Sequence, residues 1–423
     1  MSDKKLNKFN LQEVRETLAN KGGQEYWRSM DQVAQTPEFE AWVEDEFPNR
    51  SSILQIDRRD FIKFMGASMM LAGMAGCRSM FLPTEKIVPY VNKPEDIIPG
   101  KALRFATVFT HNQSALGVLV TSYEGRPVKI EGNPSHPNSM GATDHFAQAT
   151  ILDLYDPDRS REVFKKNLPS SWDVLLREAR GAMDATDKGK GIFILTESVL
   201  SPTLAAELSG LQKAFPAAAV VQYDAVNQDN VLEGSNIARG ARLHPRYDLG
   251  GVDVIASFDG DFIQSMPENV RMSREFSDKR KTVEMNRLYV VESSPSLTGA
   301  MADHRRAVKP SQIEANLRAL AQRLGVAGIE SGAAKVDARF IAAMASDLGS
   351  AAKKVVIVGA SASVASHAIA HAINEALSGS VTYHAPVVRQ DASQIDALRG
   401  LTKAINAGQV GVLVVLGGHP TFD

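Results

Sequence analysis

Six short runs of Val, Ile, Leu and Ala constrain this chain more than any other feature: residues 191–195, 218–221, 252–258, 288–292, 355–359 and 410–416. A strand with one face in water alternates apolar and polar residues, whereas a near-continuous apolar run demands cover on both faces. Helical patterns separate the runs. Ser171 is placed to cap a helix opening at Trp172, and residues 202–214 read as another helix. Strands and helices in alternation predict parallel, Rossmann-like sheets in an α/β architecture with two lobes.

In such sheets ligands sit beyond the carboxyl ends of the strands. Four loops occupy those ends: Thr196-Glu197-Ser198, Asp259-Gly260-Asp261, Ser293-Ser294-Pro295 and Gly359-Ala360-Ser361. None has the Gly-x-Gly-x-x-Gly dinucleotide pattern. Residues 359–363 offer amides and hydroxyls at the opening of a helix, as a phosphate cradle does, and an ordinary turn would read the same way. Further along, His367, His371 and Glu375 recur every four residues and share one helix face. Zinc would need them closer, since Glu375 lies roughly 12 Å along the axis from His367. The expectation there is a polar helix face, set against a partner subunit.

Before these lobes the pattern is different. Residues 116–122 and 127–131 are short β-type runs joined by Glu124-Gly125, so 116–131 reads as a hairpin. Gly132-Asn133-Pro134 and His136-Pro137 then break regular structure. They read as scaffold turns set by backbone geometry.

The chain contains one cysteine, Cys77. One thiol excludes an internal disulfide and cannot supply the thiolates of an iron–sulfur cluster. A net charge of −2 gives no general pull toward nucleic acid. No apolar run reaches the roughly 18–20 residues of a spanning helix. Upstream of the cysteine stand Arg58-Arg59, then Phe61 and Lys63, then an uncharged and mildly apolar stretch at 65–76. This resembles a twin-arginine export signal, which implies delivery of a folded protein by the twin-arginine translocase. Met74-Ala75-Gly76-Cys77 resembles a lipobox with Met in place of the usual Leu, which implies acylation of Cys77 and an anchor on the extracytoplasmic face of the membrane. The signal is unusually placed. Fifty-seven residues precede Arg58, with seven Lys/Arg against eleven Asp/Glu, a net of −4.

That extended leader, residues 85–94 (EKIVPYVNKP), Ile98-Pro99-Gly100, residues 125–134 (GRPVKIEGNP), His136-Pro137 and residues 154–159 (LYDPDR) occur in an order that resembles one family. It is the molybdopterin-oxidoreductase-like iron–sulfur subunit of bacterial alternative complex III, a quinol-oxidising complex. Asp259-Gly260-Asp261 and Ala302-Asp303-His304 also resemble loops of pterin enzymes. The resemblance implies a molybdopterin-oxidoreductase-like scaffold. Its partners would be a multi-span quinol-binding membrane subunit and haem c subunits, with no nucleic acid.

Departures from the catalytic pattern shape the functional expectation. Thr143 or Asp144 stands where the last cluster cysteine of catalytic relatives falls, and no cysteine follows residue 77. This segment is therefore expected to hold no iron–sulfur cluster, no catalytic residue and no metal, and the lack of nameable ligands argues against molybdopterin. The resemblance places the clusters downstream of Asp423, which makes the chain an N-terminal fragment. The alternative is a catalytic molybdenum-bis-pterin oxidoreductase of the same superfamily, since Ser or Asp replaces the metal-ligating Cys in some relatives; a free lipoprotein binding module is a more remote one. The expected divisions are an extended helical or disordered n-region at 1–57, the signal and lipobox at 58–77, a small β-rich opening domain at 78–170, and Rossmann-like lobes at 171–423.

Overall fold

The structure is a computed structural model that describes residues 91–418, apart from 93, 112, 331, 333–335 and 390–391. Arg58, Arg59, Phe61, Lys63 and Cys77 lie outside the described residues. The chain separates into two units, Met1–Lys93 and Pro94–Asp423, and every element below belongs to the second.

It opens with an antiparallel sheet of β1 (Leu103–His111), β2 (Ser114–Tyr123) and β3 (Arg126–Gly132), in that spatial order. The expected hairpin is β2–β3. Glu124 and Gly125 at its tip both have positive φ, 52° and 82°, as a tight two-residue hairpin turn requires. The Gly-Asn-Pro and His-Pro turns that follow form a clamp. His136 Nδ1 accepts hydrogen bonds from the amides of Gly117 (3.3 Å) and Asn138 (3.2 Å). Ser139 Oγ donates to the Asn133 carbonyl at 2.7 Å. A Cβ on Gly117 would lie 2.2 Å from His136 Cγ, so the strand approaches the ring as only glycine permits. Asp144 caps the short α1 (His145–Ala149), whose Ala147 closes a small core with Leu116, Val118 and Ile130.

A β4–β5 ribbon (Val163–Lys165, Leu168–Ser170) leads to α2 (Trp172–Asp184), capped by Ser171. The α/β region then runs β6 (Ile192–Thr196), α3 (Pro202–Ala214), β7 (Ala219–Gln222), α4 (Asp229–Arg239), β8 (His244–Tyr247), β9 (Val254–Phe258), α5 (Asn269–Arg280), β10 (Arg287–Glu292), α6 (Leu297–Ala300), β11 (His304–Ala307), α7 (Ile313–Arg323), α8 (Ala338–Ser350), β12 (Lys354–Val358), α9 (Val364–Ala376), β13 (Val381–His384), α10 (Gln394–Asn406) and β14 (Val412–Leu416).

Two all-parallel sheets result, of order β11-β10-β9-β12 and β14-β6-β7, which is the mixed α/β fold with parallel sheets that the apolar runs predict. In the larger sheet, Val254, Ala256 and Phe258 pack with residues of α7, α8 and α9 on one face. Ile255, Leu288, Val290, Val355 and Ile357 pack with Met272 and Phe276 of α5 on the other. Each of the larger side chains among these contributes about 1.5–3 kcal/mol through burial. β8 and β13 make a separate antiparallel ribbon that pairs His244 with His384. Among the described residues, no helix is long and apolar enough to cross a membrane.

Candidate functional site

The parallel strands deliver their carboxyl ends to one cleft of about 460 Å³. Three of the four loops expected there line it: Ser198 after β6, Asp259 and Asp261 after β9, and Gly359-Ala360-Ser361 after β12. Ser293, after β10, is not a lining residue but holds one that is. Its amide and hydroxyl donate to Asp259 Oδ1 at 2.6 and 3.1 Å. Asp259 sits in the left-handed region at φ 48°, and a Cβ on Gly359 would lie 1.9 Å from its carbonyl oxygen. That close crossing of two loop backbones requires the glycine. Asp261 Oδ1 accepts from the Thr298 amide and hydroxyl at 3.1 and 2.7 Å. The Asp-Gly-Asp loop is thereby tied down from the next crossover.

The β8–β13 ribbon supplies another wall through Arg246, His244 and His384. Burial, and then the neighbouring His384, push the His244 pKa down to about 4, so its ring is neutral at neutral pH. Gln394, at the start of α10, stitches three elements together. Its side chain donates to Ser198 Oγ (2.8 Å) and accepts from the Asp224 amide (2.7 Å), while its amide donates to Asp229 (2.9 Å). A second hollow of about 480 Å³ shares Ser114, Ser198, Leu200 and residues 265–268 with the first. It is walled by Phe109, His111 and Phe146, whose His111 and Phe146 rings are 4.2 Å apart.

The charges of the main cleft decide its chemistry. Four carboxylates line it (Asp229, Asp259, Asp261, Glu268) against two guanidinium groups (Arg242, Arg246). Both arginines are already paired. Arg242 reaches Glu233 at 2.9 Å and Asp229 at 3.9 Å, and Arg246 reaches Glu268 at 3.5 Å. Glu268 also holds Arg271, which is 2% exposed and further bound to Glu275 (2.7 Å) and the Tyr247 carbonyl (2.8 Å). Neither this network of Glu268, Arg246 and Arg271 nor the separate pairing of Arg242 is marked by a motif in the sequence. The network is assembled from separate elements, and only the Pro267-Glu268-Asn269 punctuation before α5 marks its place in the sequence.

Other expected site residues have different duties. At the opening of α9, Ser363 caps the helix by accepting from the Ser366 amide at 3.1 Å and donates to Glu314 at 2.8 Å. The phosphate-cradle position thus faces a carboxylate of the protein itself. Asp303 is not a cleft residue; it receives both Nη atoms of Arg280, at 2.8 and 2.7 Å, and the Leu288 amide. Thr143 accepts from Gln148 and Asp144 caps α1.

The helix-face expectation for His367, His371 and Glu375 needs correction. His367 and His371 are each 1% exposed, while the Glu375 side chain is 67% exposed and paired with Arg239. The two rings are packed inside the fold beneath α4, not on a polar face offered to a partner. Burial comes first and a neighbouring charge second (His371 for His367, Arg239 for His371) in pushing each pKa down to about 4. Among the described residues, no group of three or more His, Cys, Asp or Glu could hold a metal ion.

No family model matches the chain. A curated relative, the menaquinone reductase, molybdopterin-binding-like subunit of Nitratidesulfovibrio vulgaris, is 29% identical over 143 residues. The match covers 33% of this chain and only 20% of that relative's length. Among solved structures, acetylene hydratase from Pelobacter acetylenicus aligns over 69% of this chain and 46% of its own, with a TM-score of 0.46 and 14% identity. The formyltransferase/hydrolase complex from Methylorubrum extorquens aligns over 60% and 59%, with a TM-score of 0.33 and 14% identity.

Proposed function

We propose that this chain is the molybdopterin-oxidoreductase-like part of a quinone-linked membrane oxidoreductase, of the alternative complex III kind, and that it serves as a scaffold without a cofactor of its own. The observation that carries the reading is the charge state of the cleft. A bis-pterin dinucleotide brings several phosphate charges, which need uncommitted cations and aimed amides. The cleft has twice as many carboxylates as guanidinium groups, and both guanidinium groups are spent on internal carboxylates. No thiol is available between Cys77 and Asp423. These residues fit that cofactor poorly. The relative's name, with its menaquinone reductase and its binding-like wording, supports a quinone-linked setting.

On this reading the Arg58-Arg59 signal delivers the folded chain to the extracytoplasmic face, and acylated Cys77 holds it there beside a multi-span quinol-binding subunit and haem c subunits. Electron-carrying iron–sulfur clusters, on this reading, lie outside residues 78–423. Metal analysis of the full-length protein purified with its partners tests the proposal. Iron with no molybdenum is the expected result. About one molybdenum per chain, with a fluorescent pterin released by acid, would overturn it and favour the catalytic alternative.

A further inference from the structure

We infer that Glu268 sets the charge selectivity of the cleft, closing it to phosphate-bearing ligands by occupying Arg246, a lining arginine that would otherwise receive them. The inference rests on the cofactor-less reading above and gives it a single residue as its physical cause.

Three observations meet at this side chain. First, two guanidinium groups from different elements converge on its carboxylate: Arg246 of β8, at 3.5 Å, and Arg271 of α5, through both Nη2 and Nε, the latter at 3.1 Å. Second, Glu268 borders both the main cleft and the aromatic-walled hollow, so its charge is felt in each. Third, it is held in a backbone conformation that disfavours a side chain. Its φ and ψ are 60° and 23°, and its amide donates to Ser114 Oγ of β2 at 3.3 Å. A non-glycine residue in the left-handed region persists only where its surroundings hold it there. Here the ion pairs and the Ser114 contact supply that restraint.

The charges explain the consequence. Arg246 and Arg271 are balanced by Glu268 and Glu275, so the wall is neutral as built. Removing the Glu268 charge leaves Arg246 uncompensated on this side of the cleft, while Asp229, Asp259 and Asp261 still line the rest of it. The neighbouring His244 stays neutral and takes no part. The Glu314–Ser363 pair repeats the arrangement at the start of α9, where another internal carboxylate stands at a helix opening suited to phosphate.

The test is calorimetric titration of inorganic pyrophosphate into the full-length protein at low ionic strength, where charge selectivity is least screened. Wild type should show no saturable binding at millimolar concentrations. Glu268→Gln, which keeps the shape, should bind at least about tenfold more tightly than wild type. Glu268→Gly, which suits the left-handed backbone, should gain the same affinity, and adding Arg246→Gln to either should abolish the gain. Saturable binding by wild type with the variants' affinity overturns the inference, as does a folded Glu268→Gln or Glu268→Gly protein that gains none. Molybdenum and pterin are assayed in the same preparations. Pterin in wild type sinks the cofactor-less reading. A pterin-free wild type whose variants gain no binding sinks the selectivity role of Glu268 alone.

Discussion

Mild acid should unfold this protein through two histidines that the sequence places on one helix and the fold buries. His367 and His371 are each 1% exposed, and neither Nε2 has a hydrogen-bond partner. His371 Nδ1 lies 2.9 Å from the Tyr383 hydroxyl. Packing leaves no slack: a Cβ on Gly234 of α4 would come 2.3 Å from the His367 Cβ. The charged groups facing the pair are Arg239, which stacks 4.1 Å from the Tyr383 ring centre, and Glu375, its partner at 3.3 Å. Both histidines fall from an ordinary 6.5 to about 4. A base with a depressed folded pKa takes up its proton more readily when unfolded. Stability is therefore intact above pH 6.5 and is lost as pH falls toward about 4. At 1.36 kcal/mol per pH unit, the loss is about 3 kcal/mol for each histidine. That is a large share of the roughly 5–15 kcal/mol a folded domain has. Urea unfolding followed by circular dichroism, at constant ionic strength across this window, measures it for wild type and His371→Gln. The wild-type midpoint should drop steeply and the variant's slope should be shallower by about a third, because His244, also lowered to about 4, contributes in the same window. Carboxylates with lowered pKa values, such as Asp253 and Asp347, lose their stabilisation only below their ordinary range and do not mimic the effect. Parallel profiles for the two proteins would refute the reasoning.

Other outcomes follow from particular contacts. Gly117→Ala drives a methyl into His136 and should cost about 1–3 kcal/mol in urea unfolding, the usual cost of overpacking. Arg271→Met removes the buried cation that Glu268 and Glu275 share and the donor to the Tyr247 carbonyl, for a loss of about 3–5 kcal/mol at neutral pH. A variant as stable as wild type in urea unfolding would contradict the pairing. Arg58→Lys with Arg59→Lys should leave the protein in the cytoplasm on fractionation, whereas Cys77→Ser should abolish labelling by radioactive palmitate.

The parallel sheets were legible because burial on both faces leaves a signature no turn or surface segment shares: β9 reads Val-Ile-Ala-Ser-Phe with every residue buried. Several strands without that burial were missed. β11 is His-Arg-Arg-Ala, fully exposed at a sheet edge, and β1 is exposed along most of its length. The β8–β13 ribbon is polar and built from segments far apart in sequence. The site followed the same division. Its loops could be located because strand ends mark them. Glu268 could not, because its significance lies in arginines brought to it by β8 and α5. The buried histidines were misplaced although a signal existed. Along α9 only Glu375 is charged, and a helix so poor in charge belongs inside a protein rather than on a polar face.

The smaller parallel sheet has a consequence for the order in which the molecule comes together. Its centre and one edge, β6 and β7, are translated early, but its other edge, β14, follows β7 by about 190 residues, an interval that contains every strand of the larger sheet. During synthesis the larger sheet can close on itself while β6 waits with one side unpaired, open to water or to a chaperone. The last act in building these two sheets is thus the insertion of Val412–Leu416 beside Ile192–Thr196. A quality check that admits only finished molecules to a transport channel would in effect be sensing whether that one strand has docked.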